Sequence, residues 1–320
     1  MNQDELTELA TLYYVDNHTQ EALAKRFGIS RATVSRMLRK AQEEGVVEIR
    51  VRQHPAYASG LEQELRQRFG ISRAIIAIDH QDGDKQRALL AAQVAAYLDQ
   101  SLDDGMVVAV GMGRNISAVS DYISTPTRRE CAFISAIGGA YRGGEAMNAD
   151  HICRRLAARF GGESETLYAP ALIQDPALRQ CLLENDTVRQ TLDRARRADM
   201  ALIGVGDMSE DSNIVRMGWF SPAEIATAKR GGAIGDVMGY DFFDIYGQPA
   251  NTTLQGRVLG INRGDLERIP NVIAIASEQS KATALLGALR TGVIDTLATT
   301  TVNAMTVISL DDITRKTPVS

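Results

Sequence analysis

Residues 20–40 read QEALAKRFGISRATVSRMLRK. Leu23 and Phe27 stand four apart, Val34 and Leu38 stand four apart, and Gly28-Ile29-Ser30 lies between the two pairs. A spacing of four puts two apolar side chains on one face of a helix, and a glycine followed by a good N-cap residue ends one helix and begins another. Two short helices across a tight turn are therefore predicted, the second over about residues 31–43. Small Ala24 lets them approach, Gly28 can take the positive φ of the turn, and Ile29, Val34 and Leu38 face inward. This is the helix-turn-helix pattern.

The charges are polarised to match. Residues 1–19 carry Asp4, Glu5, Glu8 and Asp16 with no lysine or arginine, whereas residues 24–40 carry Lys25, Arg26, Arg31, Arg36, Arg39 and Lys40 with no acid. The second helix turns Arg31, Ala32, Thr33, Ser35, Arg36 and Arg39 outward, a set suited to base edges and phosphates. A solvated amphipathic hairpin would also carry a charged face. The small residue, the turn glycine, the inward apolar positions and the acid-free basic stretch occur together, and together they favour DNA. After Gly45 the run VVEIRVR alternates, with Val47, Ile49 and Val51 on one face and Glu48, Arg50 and Arg52 on the other. It reads as the wing of a winged helix-turn-helix, with Arg50 and Arg52 on flanking phosphates. The candidate DNA contacts are Gln20, Ser30, Arg31, Ala32, Thr33, Ser35, Arg36, Arg39, Arg50 and Arg52.

The whole chain bounds this reading. Its 320 residues, 44% of them hydrophobic, are enough for a small module beside a large one. A formal net charge of −5 requires any nucleic-acid binding to be local. No apolar run approaches the roughly 18 residues of a membrane span, and the acidic start MNQDELTEL does not resemble a signal peptide, so a soluble, cytoplasmic protein is expected. Cys131, Cys153 and Cys181 lie far apart without metal-ligand spacing, so reduced thiols and no metal site are expected. Pro55 and the amphipathic run SGLEQELRQRFGI, with Leu61, Leu65 and Phe69 at helical spacing, mark a boundary within 53–60. The expected domains are 1–54 and 55–320.

From residue 71 short apolar runs alternate with helical segments. Strands are predicted at 73–78, 106–111, 132–138, 200–206, 271–276 and 295–300, and helices at 84–101, 115–124, 148–160, 186–197 and 280–290. Several strands are apolar on both faces, as the centre of a parallel sheet requires, so the domain is expected to be an open α/β sheet. Such sheets bind ligands at the carboxyl ends of their strands. Glycine-rich loops mark those ends: GMGRN at 111–115, IGGAYRGGEAMN at 137–148, GVGDM at 204–208 and GDVMGYDFFDIYG at 235–247.

GMGRNI begins like a dinucleotide fingerprint, but Ile116 stands where the third glycine is needed and no acid ends the next strand, AFISAIG. A helix start near Asn115, with Arg114 beside it, could instead cradle a single phosphate. A tight turn holding nothing is the alternative. Lys281 opens a helix, where the dipole disfavours a cation, so it is expected to meet Asp236, Asp244 or a bound phosphate unless it is only a solvent-facing lysine. Asp236 and Asp244 could accept from sugar hydroxyls, and Asn148 could donate and accept. Two carboxylates could equally be a general acid and base.

Taken in order, LYYVDNHTQEALAKRFGISRATVSRMLRKAQEEGVVEIRV, GMGRN, IGG, LIGVG, RMGWFS, AIGDVMGYDFFD and SKATALLGALRTGVIDTLATT resemble the SorC family of bacterial sugar-responsive transcription regulators across essentially the whole chain. The resemblance implies a DNA reader joined to an effector domain related in fold to ribose-phosphate isomerase, glucosamine-phosphate deaminase and coenzyme A transferase proteins. It implies no catalysis and no cofactor, a phosphorylated sugar or polyol effector, and a homo-oligomer, dimer or tetramer. By position it implies effector contacts from Gly111, Gly113, Arg114, Asn115, Gly138, Gly139, Asn148, Asp236, Asp244 and Lys281. Two departures stand out: Thr299, Thr300 and Thr301 occupy a place where many relatives carry an acid, and the loop from Gly138 to Asn148 has no lysine for an imine. Reversible binding is expected. The rival expectations are a sugar-phosphate isomerase or deaminase with a DNA-binding appendage, using Asp236 or Asp244 as base, and a DNA-binding scaffold with no small ligand.

Overall fold

The computed structural model describes residues 3–43, 46–47, 55–123, 128–141, 144–238 and 241–316. The chain divides into two compact units, 1–53 and 54–320. The first holds α1 (Gln3–Tyr14), α2 (Gln20–Phe27) and α3 (Arg31–Glu43). Thr19 caps α2 by accepting from the Ala22 N–H, Gly28 ends it with φ +66°, and Ser30 caps α3 by accepting from the Thr33 N–H at 3.1 Å. Leu23, Val34 and Leu38 are buried, with Phe27 and Ile29 packed against them. The other side of this small core is α1, through Leu6, Leu9 and Ala10, a helix that the sequence reading does not predict. Of the expected wing only Val46 and Val47 are described, packed against this core; Arg50 and Arg52 lie outside the described residues.

The second unit is built on a sheet whose strands are β1 (Arg73–Ala77), β2 (Val107–Val110), β3 (Ala132–Ser135), β4 (Glu163–Glu165), β5 (Met200–Asp207), β6 (Gly235–Val237), β7 (Asp241–Phe243), β8 (Asn271–Ile275) and β9 (Thr296–Thr300). The main path runs β1-β9-β8-β5-β2-β3-β4, parallel throughout, and β6 and β7 extend it antiparallel from the far end of β5. All six strands expected from the apolar runs are present. The three missed, β4, β6 and β7, are three residues each, too short for an alternation to register.

Side chains alternate across the sheet, and both sides are covered. Met200 and Leu202 of β5, with Ile273 and Ile275 of β8, enter one core; Ala201 and Ile203, with Val272 and Ala274, enter the other. The first core is closed by α5 (Gly83–Ser101), α6 (Arg114–Val119) and α7 (Ala149–Phe160), through Leu90, Val94 and Leu98, Ile116, and Leu156 respectively. The second core is closed by α4 (Pro55–Phe69), by α8 (Pro176–Glu184) and α9 (Asp186–Ala195), and by α10 (Asn213–Arg216), α11 (Pro222–Arg230) and α12 (Arg263–Leu266) around the β6–β7 extension. It is completed by α13 (Ala282–Arg290) and α14 (Thr301–Lys316), through Leu285, Leu286 and Val307.

One carboxylate ties three of these helices together. Asp311 of α14 is 0% exposed and takes Arg290 of α13 at 2.7 Å, Arg315 at 3.0 Å and Arg68 of α4 at 3.2 Å. Arg68 also reaches Glu64 at 2.6 Å and Asp312 at 2.5 Å. Burial pushes the Asp311 carboxyl up, the arginines pull it down, and the balance lies below the ordinary aspartate value. A depressed carboxylate adds stability that is complete above its unfolded value and is lost as pH falls through the folded one. Asp311→Ala should destabilise the unit by about 3 kcal/mol, the low end of the cost of unpairing a buried charge because Arg68 and Arg315 reach water. Urea unfolding should show that loss at neutral pH, and the gap from the parent should narrow in acid as the parent's own Asp311 protonates.

Candidate functional site

From β2 the chain moves through α6 to β3 on one side of the sheet, and from β5 it proceeds to β8 on the other. The loops leaving these two neighbours diverge, which opens a crevice at their carboxyl ends. A cavity of about 230 Å³ lies there, its lining drawn from the loop after β2, the end of β5, the segment 209–219, β6 and residues 278–281. It is smaller than the ~300–1,000 Å³ typical of drug-sized sites and suits a small metabolite. Met112, Met147, Ile214, Met217 and Trp219 line it with apolar surface; Arg114, Asn115, Asp236, Glu278 and Lys281 supply polar groups.

Its charged centre is Glu278, which the sequence reading does not single out. Lys281 Nζ lies 3.4 Å from Glu278 Oε2, Arg114 Nη2 3.7 Å from Oε1, and Arg87 Nη2 of α5 3.9 Å from Oε1. The Asn115 amide donates to Oε2 at 2.9 Å and accepts from the Ser277 hydroxyl at 2.7 Å, which fixes its orientation. Burial raises the Glu278 carboxyl, but Lys281, the Asn115 hydrogen bond and Arg114 outweigh it and hold the group at about 2. The anion expected beside Lys281 is therefore Glu278, three residues earlier in the chain, and not Asp236 or Asp244. An acid at that spacing from Lys281 was the available signal.

Asp236 is 1% exposed on β6 and faces the cavity. Its carboxylate lies against the backbone of Gly206, the opposing residue of β5, where any Cβ would collide with it. Asp207 accepts from the Ser209 N–H at 2.9 Å and the Ser280 hydroxyl at 3.4 Å, joining the two rims. The Ser212 hydroxyl is buried on the lining with no hydrogen-bond partner among the described residues.

The cavity thus brings together Gly113, Arg114, Asn115, Asp236 and Lys281, with Gly111 just behind, its N–H donating to Leu202 O at 2.8 Å. Four other candidates are placed elsewhere. Gly138 and Gly139 pack backbone to backbone with Ala169 and Pro170. Asn148 clips its own loop, accepting from the Ala140 N–H at 2.7 Å and donating to Ala140 O at 3.1 Å. Asp244 builds a turn, accepting from the Tyr246 and Gln248 N–H groups at 2.9 Å. Thr299 and Thr301 donate to the carbonyls of Ala276 and Ala77, and Thr300 accepts from the Asn303 N–H, so these hydroxyls finish the strand ends.

In the first unit, Arg31, Ala32, Arg36 and Arg39 lie along α3 and are exposed, and Thr33 on the same helix is half-buried. Ser35 is half-buried on the same helix, Ser30 is engaged as the cap of α3, and Gln20, half-buried, opens α2. Arg36 donates to Thr33 Oγ1 at 3.3 Å. Arg26 is drawn to Glu8 of α1 at 3.2 Å, which offsets a charge off the α3 face.

Comparison with known proteins gives the same division. Residues 53–309 match the family described as "Putative sugar-binding domain", and residues 8–56 match the Crp-like helix-turn-helix domain. The chain is 28% identical to the transcriptional regulator LsrR of Enterobacter sp. (strain 638), over 97% of this chain and 94% of that one. A solved transcriptional-repressor domain from Vibrio fischeri, of the same sugar-binding description, is 48% identical over 79% of this chain and 99% of its own, with TM-score 0.74. The full-length sorbitol operon regulator SorC of Klebsiella pneumoniae is 25% identical over 96% of this chain and 99% of its own, with TM-score 0.77.

Lys281→Met removes the strongest charge opposing the burial of Glu278. The Glu278 carboxyl should then titrate well above 2, a shift that carbonyl-carbon NMR of the glutamate side chain would read directly.

Proposed function

Because the chain belongs to the SorC family of transcriptional regulators, which join a helix-turn-helix to a sugar-binding domain, we propose that it controls a carbohydrate-use operon by reversibly binding a phosphorylated sugar or polyol. One observation carries the reading: Arg114 and Lys281, suited to an anionic group, share a small cavity with Asp236, suited to hydroxyls. The sorbitol operon regulator among its relatives is named for a polyol. The enzyme alternative finds no support in those relatives, which are transcriptional regulators.

In this reading α3 enters the major groove, with Arg31, Arg36 and Arg39 on base edges and phosphates, and Arg50 and Arg52 add phosphate contacts. The regulator works in the cytoplasm as a homo-oligomer. As a dimer it reads half-sites related by a two-fold axis, about 10 bp or a multiple apart. Effector and operator are coupled through a free energy that is the same in both directions.

The test uses two readouts on the full chain: fluorescence anisotropy of DNA from upstream of its own operon, and the emission of Trp219, the single tryptophan, which lines the cavity. Salt is held fixed because phosphate contacts make affinity steeply salt-dependent. A sugar phosphate should change Trp219 emission and shift the DNA titration. Arg36→Ala should weaken operator binding and leave the Trp219 response intact, and Lys281→Ala should do the reverse. Equal damage to both activities by both folded variants would refute the two-module account.

A further inference from the structure

We propose that Glu278 is a specificity-determining residue that selects a singly charged, protonated phosphate group and rejects a dianion without a proton. The inference rests on the cavity being the effector site, and it names the chemical form in which the effector's anionic group binds.

Glu278 has three cations within 4 Å, yet the side chain that donates a hydrogen bond to it is the neutral Asn115 amide, onto Oε2. Separations of 3.4–3.9 Å are ion pairs without hydrogen bonds. Glu278 Oε1 is buried and has no hydrogen-bond donor, and the Nε atoms of Arg87 and Arg114 are buried and have no acceptor, among the described residues. A buried carboxylate oxygen left without a donor is costly, and so is a buried guanidinium N–H left without an acceptor. One kind of ligand group corrects both on the lining: it offers an oxygen to Arg114 and an O–H to the carboxylate. A monoprotonated phosphate does so; sulfate, which has no proton, meets Glu278 oxygen to oxygen.

The charge balance points the same way. The ionisable residues of the lining are four acids, Asp207, Asp211, Asp236 and Glu278, and three bases, Arg114, Arg216 and Lys281. Arg87 adds a charge from behind but shares it with Asp84 at 2.7 Å. With no net positive charge on its lining, such a site opposes a second negative charge on the ligand more strongly than the first. Glu278 itself stays ionised across the working range, since it is held at about 2.

The probes are inorganic phosphate and sulfate, titrated into the full-length protein at constant ionic strength and followed by Trp219 emission. At about pH 5.5, below the second ionisation of a phosphate group, wild type should bind phosphate at least about tenfold tighter than sulfate, the worth of one hydrogen bond to a charged group. Raising the pH to about 8 should weaken phosphate and leave sulfate unchanged. The sulfate arm also controls for groups of the protein that titrate in this window, such as Asp241, which burial raises to about 6. Glu278→Gln should erase the preference by strengthening sulfate. Should that variant not fold, the wild-type comparison still decides, and Glu278→Asp, with its carboxylate drawn back, should narrow the preference.

Equal binding of the two anions by wild type, or an unchanged preference in folded Glu278→Gln, overturns the inference and leaves the proposed function standing. Binding of neither anion, nor of any sugar phosphate, overturns the inference together with the anionic effector of the proposed function.

Discussion

A parallel sheet covered on both faces has no place for charge except at the ends of its strands. In this protein the central strands β2, β5 and β8 carry apolar side chains into two cores, so polar chemistry gathers at the strand ends and on the short β6–β7 extension. The change of direction between β2 and β5 then concentrates it, because their outgoing loops part and leave space that neither fills. Arg114, Asp207 and Lys281 come from three separate strand ends yet face one cavity. The β6–β7 extension closes a fourth side and brings Asp236 against Gly206.

Gathering charges in a half-buried place is costly unless they satisfy one another. Glu278 serves as the internal counterion for Lys281, Arg114 and Arg87, and Asn115, itself held by Ser277, fixes the carboxylate. Among the described residues the arrangement is incomplete, with buried oxygen and nitrogen atoms left over on Glu278 and the two arginines. Asp311, by contrast, meets three arginines at 2.7–3.2 Å and binds α4, α13 and α14 into one body. The same chemistry of carboxylate and guanidinium thus gives a closed structural knot in one place and an open, receptive one in another. The difference is whether hydrogen-bonding capacity remains.

The acidic chain reconciles its net charge with a basic helix by segregation. Residues 24–40 hold six cations and no acid, and the balancing acids lie outside that stretch. Within the first unit, α1 supplies Glu8 to Arg26 and apolar residues to the core, while Arg31 and Arg39 remain exposed on α3. Phosphate binding needs local charge density, so an overall negative charge is no obstacle.

By itself the sequence determined whatever depends on short-range periodicity and backbone preference. The fours of Leu23–Phe27 and Val34–Leu38, the positive φ at Gly28 and the cap at Ser30 are local physics, as are the apolar runs of the six main parallel strands. Three-residue β6 and β7 were silent because so short a run shows no period. Tertiary structure alone decided which polar residues meet. Lys281 meets Glu278, whereas Asn148 and Asp244 have the chemistry of ligand contacts but turn to their own loops, where backbone N–H groups lie closer than any cavity. A side chain's hydrogen-bonding ability is written in its identity; its partner is fixed by where distant strands end in space.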